Sequence, residues 1–264
     1  MRKKLANTSN MQRFMAGVGA LEGRGAQEAS MLLVVGDPGY GKTTIVNRWA
    51  RLERAVYLCG RPGMTPHMVL GELVRELGEE PYHTSERRYR QAEQLVRLGQ
   101  RPIILDEAQF YLSDKAECLE VVRSLTDKYE VVLVLVSMEQ IQDKIAKLDQ
   151  ISSRVSVVVK MQPATLEDVK ICCDVLCEVK IADCLTEEIL FHTGGRYREI
   201  VNAIAAVERF GKRGGLEVVT RAAMVGEVLT HDWRDESPRR VREEKREVKR
   251  ATPAQRTTSK EVVK

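Results

Sequence analysis

The sequence predicts an α/β domain with a largely parallel five-stranded sheet, followed by a smaller all-helical domain and a charged C-terminal tail. Three observations carry that expectation. Five short apolar runs alternate with amphipathic helical patterns over the first 160 residues. A glycine-rich octapeptide stands where the first run meets the next helix. After Pro163 the strand-like runs stop and helical patterns continue alone.

Residues 8–21 (TSNMQRFMAGVGAL) read as a short helix that Thr8 or Ser9 can cap. After a glycine-rich turn, MLLVVG at 31–36 reads as a strand, and 55–59, 102–105, 131–137 and 155–160 read likewise. None of them alternates apolar with polar residues, so each is expected to be covered on both faces. Helical patterns at 43–53, 66–78, 84–99, 114–127 and 139–148 separate them, which is the βαβ alternation of a parallel sheet. Beyond a junction at 161–164, helices are expected over 165–179, 186–192, 196–211 and 215–230. The expected division is therefore a nucleotide-binding domain at 1–162, a helical lid at 163–231 and a disordered tail at 232–264. The tail has almost no large apolar residues with which to offset the entropy of ordering it.

A chain of 264 residues can bury a real core, and 43% apolar with 30% charged residues is ordinary for a globular protein. From residue 232 onward Lys and Arg outnumber Asp and Glu eleven to seven, which is the whole of the formal net charge of +4. Six cysteines fit no paired zinc spacing and no disulfide scaffold. Cys172, Cys173 and Cys177 fall in one helical pattern, where free cysteine packs as a small apolar residue. Arg2, Lys3 and Lys4 are not followed by an apolar stretch, and no run is long enough to span a bilayer. The expected location is the cytoplasm, with no membrane partner.

The chemistry begins at Gly36-Asp37-Pro38-Gly39-Tyr40-Gly41-Lys42-Thr43, which fits G-x-x-x-x-G-K-[ST] at every position. Glycines let the backbone wrap a phosphate with its N–H groups, and the helix that starts there adds a favourable dipole. The binding segment of an ATP is expected to run from Gly36 through Thr44. Lys42 is placed to reach the β- and γ-phosphates, and the Thr43 hydroxyl to ligate Mg²⁺. Some sixty residues on, Ile103-Ile104-Leu105 ends in Asp106-Glu107. A strand that delivers two carboxylates beside the phosphates suits hydrolysis: Asp106 for Mg²⁺, and Glu107 to orient and polarise the attacking water.

The phosphate loop, the Asp106-Glu107-Ala108-Gln109 segment and the helical C-terminal part together resemble an AAA+ ATPase over about 8–230. The resemblance implies roles for three further residues. Ser137, ending the fourth strand, matches the polar sensor of the γ-phosphate. Arg154, in Ile151-Ser152-Ser153-Arg154-Val155, matches the finger that reaches a neighbouring subunit's ATP. Thr193-Gly194-Gly195-Arg196-Tyr197-Arg198-Glu199 is similar to the lid motif whose arginine touches the γ-phosphate; Arg198 has the matching offset, and Arg196 is the alternative.

Within that superfamily the chain is most similar to transposition regulators of the MuB, TnsC and TniB type. That resemblance implies sequence-nonspecific binding of double-stranded DNA, self-association into rings or helical filaments and recruitment or activation of a transposase, with hydrolysis timing release. ExeA-type secretion ATPases and replication initiators or helicase loaders share most of the same motifs and stand as alternatives. Candidate DNA contacts are Arg61 and the cluster Arg87, Arg88 and Arg90, in the region that faces DNA in the transposition proteins.

Overall fold

In the computed structural model, residues 1–25, 30–230 and 239–242 are described. Helix α1 (Ser9–Glu22) precedes β1 (Met31–Val35), and α2 (Lys42–Leu52) follows at once. Then come β2 (Val56–Cys59), α3 (Pro66–Glu76), α4 (Ser85–Gly99), β3 (Ile103–Asp106), α5 (Glu117–Lys128) and β4 (Leu133–Ser137). The short helices α6 (Ile141–Ile145) and α7 (Asp149–Ser152) lead into β5 (Val155–Lys160). The five strands form one sheet in the order β2-β3-β4-β1-β5, with every neighbouring pair parallel. The α/β fold and the five-stranded parallel sheet are thus as the alternation of patterns predicts.

The sheet shows why its strands lack alternation. Met31, Leu33, Val35, Leu133 and Leu135 point into a core closed by α3, α4 and α5. Their neighbours Leu32, Val34, Val134 and Val136 point to the other face, where α1 and α2 close a second core. Successive residues of a strand face opposite ways, so two covered faces demand apolar residues at every position. Phe14 meets Trp49 edge-on at 5.6 Å between ring centroids, joining α1 to α2 in that second core.

Strand β5 departs from expectation. It is the edge strand, with Ser156 and Val158 exposed, because α3 to α5 cover the middle of the sheet and stop short of it. The helix expected over 139–148 is shortened to α6, and α7 forms beyond its expected end.

The lid consists of α8 (Leu166–Leu176), β6 (Lys180–Ile181), α9 (Asp183–Thr193), α10 (Tyr197–Arg213), β7 (Val218–Val219) and β8 (Val228–Thr230), with β9 (Arg239–Arg240) beside β8. Its core gathers Val169, Cys172, Cys173, Cys177, Ile189, Ile200 and Ile204. Burial raises the thiols of Cys172 and Cys173, Cys172 to about 12, as befits packed apolar cysteine. The helix expected over 215–230 does not form. Gly214-Gly215 ends α10, the β-branched run Val218-Val219-Thr220 favours extended backbone, and Gly226 turns with φ of 81°. A segment counted with the tail also docks here: Val241 is buried, and Arg242 binds Glu188 through its backbone N–H and its guanidinium at 2.9 Å. The rest of the expected tail, 232–238 and 243–264, lies outside the described residues, as does residue 231 at the end of the expected lid.

Among the described residues no helix is long and apolar enough to cross a membrane.

Candidate nucleotide-binding site

The sheet's topology brings the site together. All five strands run the same way, so the loops after β1, β3 and β4 emerge at one edge. The first carries Gly36–Thr43, the second begins with Glu107, and β4 ends in Ser137. A cavity of about 580 Å³ opens there between the sheet edge and the lid, a volume suited to a nucleotide. Pro38, Gly39, Gly41, Lys42, Thr43 and Thr44 line its floor, Asp106, Glu107 and Ser137 one wall, and Arg198 on α10 the lid side.

The phosphate loop has the shape its residues imply. Gly41, with φ of 86°, makes the left-handed step that lets Lys42 open α2. Gly36 and Asp37 stand behind the cavity and present their carbonyls to Lys42 Nζ at 2.5 and 3.0 Å. Burial lowers the Lys42 ammonium from its ordinary value, opposed by the carboxylates of Glu107, Asp106 and Asp37. Tyr40 gives its backbone carbonyl to Asn10 Nδ2 at 3.1 Å.

Thr43 and Asp106 meet directly: the hydroxyl donates to Asp106 Oδ2 at 3.0 Å. A hydroxyl and a carboxylate side by side, facing the loop that would hold phosphates, are a hard-oxygen set that fits Mg²⁺. Asp106 also accepts the Tyr57 hydroxyl from β2 and the backbone N–H of Glu107, the latter at 2.8 Å. The Tyr57 phenol is pushed up by burial and by that carboxylate, so it remains a donor at all ordinary pH.

Glu107 stands at φ of 51°, a left-handed step just past the strand end. Its Oε2 accepts a bond from Gln109 Nε2 at 2.6 Å, and Gln109 Oε1 accepts one from the buried Ser137 hydroxyl at 2.6 Å. One side-chain amide therefore joins the acid proposed to orient water with the residue proposed to sense phosphate. Tyr57 and Gln109 were not singled out by sequence. Gln109 had a signal in its place two residues after Glu107. Tyr57 had none, because only strand register sets its hydroxyl beside Asp106.

Arg198 lines the cavity, and its backbone N–H donates to Gly39 O at 3.3 Å. Arg196 instead packs its side-chain stem over Gly39, outside that cavity. Gly195, with φ of 74°, presses against the junction: a β-carbon there would stand 2.8 Å from Pro163 Cβ. Residues 2–6, assigned by sequence to the first domain, also pack on the lid. Arg2 N–H donates to Leu176 O at 2.8 Å, Ala6 is buried in the lid core, and Leu5 and Ala6 line the cavity.

Arg154 lies elsewhere. It precedes β5 at the opposite end of the sheet, where Val155 pairs with Met31. The four steps from Met31 to Val35 span roughly 13 Å at 3.3 Å per residue, so Arg154 is too far to serve its own cavity. Its Nε donates to Asp127 at 3.0 Å, a carboxylate it shares with Arg123.

The four candidate DNA contacts fare differently. Arg88 is spent on the backbone carbonyls of Tyr82 and His67, each at 2.8 Å. Arg61 pairs with Glu72 and Arg90 with Glu86. Arg87 is exposed on α4. The structure does not gather these four into one open basic surface.

Residues 24–145 match the family model of an AAA domain, and the fold is that of an AAA P-loop domain. No curated protein matches the chain. Among solved structures the chain is similar to Cdc6p of Pyrobaculum aerophilum, at 16% identity and a TM-score of 0.56 over 84% of this chain and 66% of that one. It is similar to Aeropyrum pernix ORC1, solved in complex with DNA, at 17% identity and 0.57 over 84% and 64%. A third is RuvB, the Holliday junction branch migration motor of Thermotoga maritima, at 16% and 0.57 over 82% and 67%. The chain spans just under two thirds of the length of the first two. At these identities the likeness is one of fold.

Proposed function

We propose, from this AAA P-loop domain and the geometry beneath its lid, that the protein binds and hydrolyses ATP. The carrying observation is convergence: Lys42, Thr43, Asp106, Glu107 and Arg198 come from three segments of the chain and line one cavity. In this reading the backbone of Gly36 to Thr44 cradles the phosphates, with Lys42 and Arg198 placing positive charge on them. Thr43 and Asp106 hold Mg²⁺, which when bound neutralises charge on the phosphate oxygens. Glu107 orients the attacking water and polarises its O–H bond, while Ser137 reads the γ-phosphate. Arg154 lies too far from its own cavity to act there and serves a neighbouring subunit's site, which makes hydrolysis dependent on assembly.

Hydrolysis in this reading drives a DNA transaction. The protein assembles on double-stranded DNA in the ATP state and recruits or activates a transposase. This rests on the motif resemblance to the MuB, TnsC and TniB regulators. A second reading, a replication initiator or helicase loader, draws support from the likeness in fold to chains named Cdc6p and ORC1. Both readings use the same ATP site and belong in the cytoplasm.

The ATP site is tested by Glu107→Gln. It should retain ATP affinity, because the phosphate and metal ligands survive, and lose hydrolysis by on the order of a hundredfold or more. Turnover at the parental rate sinks the assignment of Glu107. The partner is tested by incubating the ATP-loaded protein with a purified DDE transposase on duplex DNA, against a helicase-loading assay. Stimulation of strand transfer supports the first reading, and loading of a helicase supports the second.

A further inference from the structure

Four cations without acidic partners line a groove beside the ATP cavity. Lys3 and Lys4 come from the chain's first residues and Arg48 and Arg51 from the outer face of α2, around a cavity of about 700 Å³ with Asn7 and Asn47 among its walls. None of the four makes an ion pair among the described residues, and no acidic side chain lines the groove. Arg61, Arg90 and Arg123, by contrast, are paired with Glu72, Glu86 and Glu120. Four like charges converging on one groove repel each other, and an anion bound among them offsets that repulsion.

We infer that this groove binds the phosphate backbone of double-stranded DNA. Arg48 and Arg51, three residues apart on one helix, emerge on the same side about 5–6 Å from each other, a spacing suited to successive phosphates. Phosphate oxygens accept bonds from side-chain amides and hydroxyls as readily as from Lys and Arg, and Asn7, Asn47 and Thr44 supply those here. An acidic polypeptide would need apolar anchor pockets as well, and the groove's one exposed large apolar side chain is Leu52. The groove would also give bound DNA a route to the nucleotide. Lys4, Leu5, Ala6 and Thr44 line both cavities, so the N-terminal strap is a wall common to the two sites. The inference rests on the DNA reading proposed above and relocates its contact surface from Arg61 and α4 to α2 and the first residues of the chain.

The test is fluorescence anisotropy of a labelled mixed-sequence duplex against salt, for the ATP-bound parent, Arg48→Ala/Arg51→Ala and the control Arg87→Ala/Arg90→Ala. A fluorescent ATP analogue reports nucleotide affinity in parallel and shows that each variant is folded. Loss of two phosphate contacts should lower the log–log salt slope by about two and weaken binding on the order of fifty-fold at about 0.1 M salt, equally for unrelated sequences. The control should stay close to the parent. If the Arg48/Arg51 variant binds duplex with the parental slope, the groove is overturned and the DNA reading stands. A parent that binds ATP but no duplex overturns both. If the variant keeps duplex binding but loses binding of polyglutamate that the parent shows, the groove serves an acidic polypeptide and the inference fails.

Discussion

Removing the side-chain amide of Asn10 should loosen the whole nucleotide site, although Asn10 touches no nucleotide atom. Asn10 lies on α1, is 0% exposed, and makes three hydrogen bonds that cross the molecule. Its Nδ2 donates to Tyr40 O in the phosphate loop at 3.1 Å and to Gln162 O at the lid junction at 2.8 Å. Its Oδ1 accepts the Gln162 backbone N–H at 2.9 Å. Asn10→Ala removes all three of these part-buried bonds. Each is worth about 0.5–1.5 kcal/mol, so the loss is on the order of 3 kcal/mol. For a chain of this size that lowers Tm by roughly 6–12 °C. Thermal unfolding with urea titration measures it, and mant-ATP titration should show weaker binding as the loop loses its anchor. A Tm within 2 °C of the parent for Asn10→Ala, with unchanged ATP affinity, would refute the coupling.

Three further outcomes follow from the same geometry. Gln109→Ala should lower kcat by about ten- to a hundredfold with KM for ATP little changed, since it frees Glu107 without touching the phosphate loop. Steady-state ATPase kinetics check this, and adding Ser137→Ala should cost less than its separate effect because both act through one relay. Arg154→Ala should bind ATP normally yet lose assembly-dependent hydrolysis by on the order of a thousandfold, and mixing it with Lys42→Ala should restore part of the rate. A parental rate that is independent of protein concentration, with no rescue in mixed assemblies, would end the case for action in trans. Burial pushes the Glu188 carboxyl up, but Arg242, the Arg242 backbone N–H, His192 and Arg221 outweigh it and hold it down to about 2. A depressed carboxylate stabilises above its unfolded pKa, and that contribution is lost as pH falls from about 5 toward 2. The Tm gap between the parent and Glu188→Gln should thus be wide at pH 7 and close below pH 3; a gap independent of pH would remove Glu188 as an ionised anchor.

By itself the sequence determined the parallel sheet, the phosphate loop and the pair Asp106-Glu107, because those features are local. A strand covered on both faces must be apolar at every position, and a phosphate loop must place glycine, lysine and threonine at set spacings. Contacts between distant segments left no such local mark. Asn10 lies 152 residues from Gln162, and the Tyr57 hydroxyl meets Asp106 only through strand register. Arg61, Arg87, Arg88 and Arg90 were candidate DNA contacts in one dimension; in the fold Arg61 pairs with Glu72, Arg88 binds two carbonyls, Arg90 pairs with Glu86 and Arg87 stays exposed. Lys3, Lys4, Arg48 and Arg51 looked unrelated, and folding sets them around one groove. Residues 215–230 carried a helical pattern, and there the glycines at 214, 215 and 226 and the packing of β8 against β9 overrode it. Periodicity reports which face of an element is buried; which charges remain free, and which groups meet across a cavity, depends on partners that only the tertiary fold brings near.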